Sequence, residues 1–218
     1  MEYADTEKCD WRIFFSATGI QAFYLPELFG LTTFRLDNQL SVTGGIRYDR
    51  GRIDITAFED PYLVEYLHRQ GYEEEVIQAY RWRSYPVDRA YGNYSCSAGV
   101  VWTPAAGHLL KMNVGRSFRL PGVNELASNG VHHGTFRHEK GDATLSSEQG
   151  WQIDASYTLA YKKMELVVSS FASWFDNYIY LRPMGEWSVL PHAGQIYQYS
   201  GARALFMGGE INFNMDFL

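Results

Sequence analysis

Three histidines fall within seven positions, His132, His133 and His138, and Glu139 and Asp142 follow directly. Imidazole nitrogens and carboxylate oxygens are the ligands that zinc and similar borderline metals take, so this spacing suits capture of a metal or a metal-bearing molecule. Arg119, Glu125 and His192 complete the candidate ligand-binding set. Polar loops also collect such residues for hydration alone, and spacing by itself leaves both readings open. Elsewhere no nucleophile with base and orienter, no phosphate loop and no carboxylate pair placed for acid and base work stands out. The expected chemistry is binding, with no resident cofactor and with the metal as cargo.

The segment that carries most of these residues, 116–148, reads RSFRLPGVNELASNGVHHGTFRHEKGDATLSSE and lies between two stretches that alternate polar and apolar residues. It therefore reads as a long loop between antiparallel strands. Proline at 121 ends the incoming strand, because it has no N–H to give to a ladder. Asn129-Gly130 reads as a turn.

Period-two alternation recurs along the chain. Leu40, Val42, Gly44, Ile46 and Tyr48 share one face, opposite Gln39, Ser41, Thr43, Gly45, Arg47 and Asp49. The same pattern places Tyr94, Cys96, Ala98, Val100 and Trp102 on one face, then Leu110, Met112 and Val114, and then Trp151, Ile153, Ala155, Tyr157, Leu159 and Tyr161. Arg116 interrupts an apolar face near a strand end, where a long side chain can snorkel. A further strand is expected over 11–25, a return strand from Met164 to Leu181, and a last strand carrying Leu205, Met207, Ile211, Phe213, Met215 and Phe217 on one face. The intervening turns alternate between short (37–38, 104–107, 162–163) and long (57–90, 121–147, 182–195), so the long connections gather at one end of the sheet. The 57–90 connection is partly helical: Asp60-Pro61 is an N-cap followed by proline at the first helical position.

Composition narrows the class. A net charge of -6 with no basic cluster argues against a nucleic-acid partner. Aromatics make up 16% of residues, as expected where rings sit at two membrane interfaces. No apolar run is long enough for a transmembrane helix, but barrel strands cross with about ten alternating residues. Cys9 and Cys96 are isolated and read as inert strand residues. Met1 to Asp5 lacks the basic and apolar regions of a signal peptide, so a membrane barrel would here be an internal piece of a longer protein.

GGIRYDR at 44–50, GVVWTP at 99–104, GRSFRLPGVNELASNGVHHGTFRHEKGD at 115–142, Leu145 to Glu148, and GGEINF at 208–213 together resemble the barrel of TonB-dependent outer-membrane receptors. The resemblance covers most of the chain from about Gly30. It implies a 22-stranded barrel in the bacterial outer membrane, filled by a plug domain, with outer loops capturing cargo and the TonB complex supplying energy through the plug. Against that pattern this chain supplies about eight strands and neither plug nor TonB box, and it does not end on the family's usual aromatic residue. Receptors that take up haem carry an F-R-A-P box, an N-P-D-L box and a histidine between. Phe118-Arg119-Leu120-Pro121 and Gly141-Asp142-Ala143-Thr144-Leu145 are the nearest counterparts, and the N-G-x-H run at 129–132 is similar to receptors linked to zinc uptake.

The expectation is therefore an all-β chain: residues 1–218 as part of a receptor β-barrel domain, an antiparallel transmembrane segment of about eight strands with long extracellular loops. The expected partners are outer-membrane lipid, the receptor's own plug, the TonB complex through that plug, and a small metal-containing substrate. Ferric siderophore is the default cargo, with zinc and haem as the alternatives and a glycan left open. Arg47, Lys111, Arg119, Glu148, Asp154 and Glu210 are expected on the lumen side. Two other architectures are consistent with alternating strands: a small closed eight-stranded membrane barrel with a structural or adhesive role, and a soluble carbohydrate-binding sandwich.

Overall fold

A computed structural model describes residues 20–132 and 134–216; the strand expected over 11–25 lies mostly outside them. In chain order the elements begin with β1 (Ile20–Arg35), β2 (Leu40–Ile55), β3 (Phe58–Glu59), α1 (Pro61–Arg69), α2 (Glu74–Tyr80), β4 (Trp82–Ser84) and β5 (Val87–Trp102). They continue with β6 (His108–Arg119), α3 (Val123–Ala127), β7 (Asn129–His132), β8 (Arg137–Lys140), β9 (Glu148–Tyr161), β10 (Met164–Trp187) and β11 (Gln195–Met215).

Seven long strands form one antiparallel meander, β1-β2-β5-β6-β9-β10-β11, and the sheet continues through β8 to β7. Its turns at one end are short for local reasons. Asp37 accepts hydrogen bonds from the backbone N–H groups of Gln39 and Leu40, both at 2.7 Å, which closes the first hairpin. Gly107 has φ +80°, and a Cβ there would lie 2.1 Å from the carbonyl oxygen of Ala160, so the second turn requires glycine. At the other end the strands overshoot. β10 has 24 residues, roughly 79 Å of contour at about 3.3 Å per residue, far more than a bilayer needs.

Register turns the sequence alternation into two faces. One row reads Ile46, Cys96, Arg116, Trp151, Trp174 and Leu205 across six strands, and another reads Leu40, Trp102, Leu110, Tyr157, Val168 and Ile211. Displaced by one residue, the opposite face carries Ser41, Val101, Lys111, Ser156, Ser169 and Glu210. The apolar face is open rather than packed: Ile46, Met112, Ile153, Leu205, Met207, Ile211 and Phe213 are all exposed. A soluble sandwich buries such a face against a second large sheet. Here the only other sheet among the described residues is the two-stranded β3-β4 pair, so the sandwich is not what forms. The small closed barrel is not formed either, because β1 and β11 do not pair with each other. Aromatic rings mark two levels of the apolar face, with Tyr48, Tyr94, Trp151 and Trp174 near the long-loop end and Trp102 and Tyr161 near the short turns. On β5, Tyr94 and Trp102 are about 26 Å apart along the strand, close to the height of a membrane barrel's apolar band.

Several expected boundaries shift. β5 starts at Val87 rather than near Tyr91, and β10 and β11 run to within seven residues of each other, leaving only 188–194 as their loop. Asn129-Gly130 is not a turn: it opens β7, and the described turn residues are 134–136.

Candidate functional site: the outer loop cap

The three long connections do not splay apart; they fold on one another. Asp60 caps α1 by accepting from the N–H groups of Tyr62 and Leu63, with Pro61 at the first helical position. This aims Leu67 at Ile77 of α2, and both bury against Leu190 of the last loop, with Val131 of β7 and Ala193 packed around them. A second core lies closer to the strands. Leu126 and Ala127 of α3 and Leu145 bury against Ile53, Ile55, Val87, Tyr91 and Ile179, which belong to the overshooting ends of the barrel strands. The central loop is thus a folded lid resting on the strand ends.

Its entry is fixed by charge. Arg119 donates to Glu125 Oε2 at 2.7 Å and to Glu148 Oε2 at 3.2 Å. Glu125 also caps the N–H of Gly122, and Glu148 also accepts from the N–H of Ile179. Arg119 and Glu125, expected in the ligand set, spend their polar atoms on each other and on joining β6, α3 and β10.

A polar chain ties the three loops. His138 is fully buried (0% exposed) and Asn129 nearly so (1%). The Asn129 amide nitrogen donates toward the carbonyls of Ala79 and Trp82 and toward the Tyr85 hydroxyl. Its Oδ1 is left to accept, so His138 Nε2 carries the hydrogen of their 2.9 Å bond. Nδ1 then holds a lone pair and accepts from the Ser188 hydroxyl at 2.8 Å, while that oxygen accepts from the N–H of Leu190. Burial, with the nearby charges of Lys140 and Arg83, pushes the imidazole pKa down to about 4, so the ring is neutral. Burial also holds the Tyr85 phenol above its usual range.

Of the expected metal set, His138 has both ring nitrogens hydrogen-bonded within the cap, to Asn129 and Ser188. The other candidates are dispersed. Glu139 accepts from the Tyr199 hydroxyl, and Asp142 closes a turn by accepting from the N–H of Thr144. His132 is exposed, with Nδ1 at 3.3 Å from the Thr135 hydroxyl oxygen, and His133 lies outside the described residues. His192 is exposed with φ +59°. Among the described residues, no group of three or more His, Cys, Asp or Glu is gathered to hold a metal ion.

Two tips meet at the apex of the cap. The N–H of Gly194 donates to the carbonyl of Phe136 at 2.7 Å, so the β7–β8 tip abuts the 188–194 loop. Phe136 sits at φ +52°, a conformation bulky residues rarely adopt, and its ring is 60% exposed. At the base of the same loop Trp187 is 71% exposed, and Tyr62 on α1 is 83% exposed. Neither Phe136 nor Trp187 belonged to the candidate set; both sit in segments whose local pattern marks only a loop. On the polar face below, Lys111, Asp154 and Glu210 line a recess of about 560 Å³ with Phe171, Thr43 and Ser169. Arg47 pairs with Asp49 at 2.6 Å.

A family model described as TonB dependent receptor-like, beta-barrel, matches residues 12–218. The chain belongs to the TonB-dependent receptor β-barrel family. It is accordingly a piece of an outer-membrane protein, the apolar face of the meander is its lipid face, and the polar face is its lumen wall. No curated protein matches it in sequence. Among solved structures, the receptor fragment is similar in fold to the Serratia marcescens hemophore receptor HasR, seen with its hemophore HasA and heme, at TM-score 0.64 and 22% identity. That match covers 90% of this chain and 32% of the other. The copper transporter OprC matches at TM-score 0.66 and 16% identity, over 92% of this chain and 27% of that one. The ferric-catecholate import receptor Fiu from K12 E. coli matches at TM-score 0.52 and 17% identity, over 91% and 26%. The fragment thus spans about a third or less of the length of these solved receptors.

Proposed function

We propose that the loop cap is the capture surface of an outer-membrane receptor that imports a metal-containing nutrient, with ferric siderophore as the cargo class. A plug domain in the rest of the protein and the TonB complex acting through it would supply the transport step. The observation that carries this reading is the outer surface of the cap: the Phe136 ring is exposed on one tip beside exposed His132, the tip meets the loop that carries exposed His192, and the rings of Trp187 at that loop's base and of Tyr62 on α1 are also open to solvent. Exposed rings clustered with polar groups recognise an organic surface, as the ligand shell around a chelated metal provides. The solved neighbours support a metal-linked role, being by name a hemophore receptor, a copper transporter and a ferric-catecholate import receptor.

Zinc and haem are separated from siderophore by a titration. Zinc chloride, hemin and a ferric tricatecholate are added to the full-length receptor in detergent, comparing wild type, His132→Ala/His192→Ala and Phe136→Ala/Trp187→Ala. The siderophore reading expects the ring variant to weaken tricatecholate binding about tenfold or more, with the histidine variant within about threefold. Selective loss of zinc or hemin binding in the histidine variant would replace it with direct metal or haem ligation. No change for any probe in either variant would remove the apex from the capture site.

A further inference from the structure

We propose that His138 is a positioning residue: together with Asn129 and Ser188 it locks three outer loops into one preassembled cap, so that the Phe136 and His192 tips meet cargo as a single surface. This rests on the reading that the cap captures cargo, and the experiment below separates the two.

The three groups come from three connections. Asn129 reaches back to the carbonyls of Ala79 and Trp82 in the segment between β2 and β5. His138 lies on the β7–β8 hairpin between β6 and β9, and Ser188 opens the loop between β10 and β11. Leu67, Ile77, Leu190, Val131 and Ala193 already draw the same three segments together, but apolar contact is non-directional and does not fix one tip against the other. The hydrogen-bond chain is directional. Each donor is assigned, and deleting the ring would leave the buried Asn129 oxygen without its donor and the half-buried Ser188 hydroxyl without its acceptor. Backbone pairing carries the lock outward: β8 adds in parallel to the outer end of β11, with His138 opposite Ile196, and Gly194 donates to Phe136.

The surroundings make the lock sensitive to charge. Arg83 of β4 and Lys140 of β8 face the ring, Tyr80 of α2 meets it edge-on at 5.3 Å, and the Tyr85 phenol bonds Asn129. Asp60 lies 3.9 Å from Arg83, and the ring nitrogens of His138 meet only the neutral Asn129 and Ser188 side chains. A proton on His138 would therefore be a buried third positive charge with no direct counter-ion, although Ser188 could still accept a hydrogen bond from it.

The test uses the full-length receptor in detergent with Cys9 and Cys96 replaced by serine, and spin labels at Thr135→Cys and Pro191→Cys, one on each tip. At neutral pH the parent gives one narrow distance, His138→Ala gives a broad distribution, and His138→Gln restores the narrow one, since glutamine can donate to Asn129 and accept from Ser188 without titrating. On acidification the parent distribution widens between about pH 6.5 and about pH 4, whereas His138→Gln does not follow. Binding of hemin, zinc chloride and a ferric tricatecholate is measured in parallel. The probe the parent binds should lose about tenfold or more in His138→Ala and recover in His138→Gln. An unchanged distance in His138→Ala, or acid widening in His138→Gln equal to the parent's, overturns the lock. Tips that separate while binding of every probe persists overturn the capture role of the tips and leave the lock standing.

Discussion

At the scale of single residues, the cap is held by groups that leave no room for exchange. A Cβ on Gly141 would lie 2.5 Å from the backbone nitrogen of Ala127 and 2.5 Å from the carbonyl carbon of Leu126. Those are main-chain atoms of α3, which cannot swing aside as a side-chain tip can. Gly141→Ala is expected to cost the cap about 1–3 kcal/mol, read as lost hydrogen-exchange protection at the Gly141 and Asp142 amides, which donate to Ser128 and Glu125. Gly134→Ala is the control, because the nearest atom there is the movable ring of His132, and protection should be unchanged. His138 adds a pH term of definite sign. An opened cap takes up its proton near 6.5, and the closed cap does so only near about 4. Cap stability is therefore full above about pH 6.5, falls by up to about 3 kcal/mol as pH drops to about 4, and levels off below. Exchange of the His138 amide between those pH values, corrected for intrinsic rate, measures it, and a flat profile would refute the assigned shift.

At the scale of elements, local chemistry written in the chain predicts what local chemistry builds. Asp60-Pro61 starts α1 where expected, and Asp60→Ala should cost about 1 kcal/mol of cap stability, visible as faster exchange at the Tyr62 and Leu63 amides it caps. The alternating strands and their short turns were legible for the same reason: a period of two and an Asp-Asn or glycine turn need only neighbouring residues. What the sequence could not convey was contact across distance. Asn129-Gly130 has the composition of a turn, yet Asn129 sits in a strand because its amide finds carbonyls some fifty residues earlier, at Ala79 and Trp82. His138 looked like a ligand beside His132 and His133, and Ser188, fifty residues later, meets its free nitrogen. β8 joins β11 through only three paired positions, in parallel, a union no local pattern announces. Of the candidate site, the loop was legible and the roles within it were not.

At the scale of the whole molecule, the described residues carry two open sheet edges and an exposed apolar face. Among the described residues, β1 has a neighbour on one side only, and β11 is paired on its outer edge only through Ile196–Gln198. Expressed alone in water, the 218 residues should associate through those edges and that face, and size-exclusion chromatography without detergent should show aggregate rather than monomer. Adjacent residues on one strand supply a sharper test of which face meets lipid. Val100 pairs with Val42 and Met112 on the apolar face, and Val101 pairs with Ser41 and Lys111 on the lumen wall. Both are valines with similar exposure, so composition and strand propensity cannot distinguish them. In the bilayer, Val100→Arg places a charge in hydrocarbon two residues inside the Trp102 girdle, at a cost of about 1–2 kcal/mol, between the midplane and interface values, while Val101→Arg enters a hydrated wall already lined by Lys111, Asp154 and Glu210. In the full-length receptor refolded into vesicles, the Val100 variant should shift its denaturant midpoint downward and the Val101 variant should stay close to the parent. Equal shifts would mean that the two faces share one solvent, and the assignment of lipid and lumen sides would have to be abandoned.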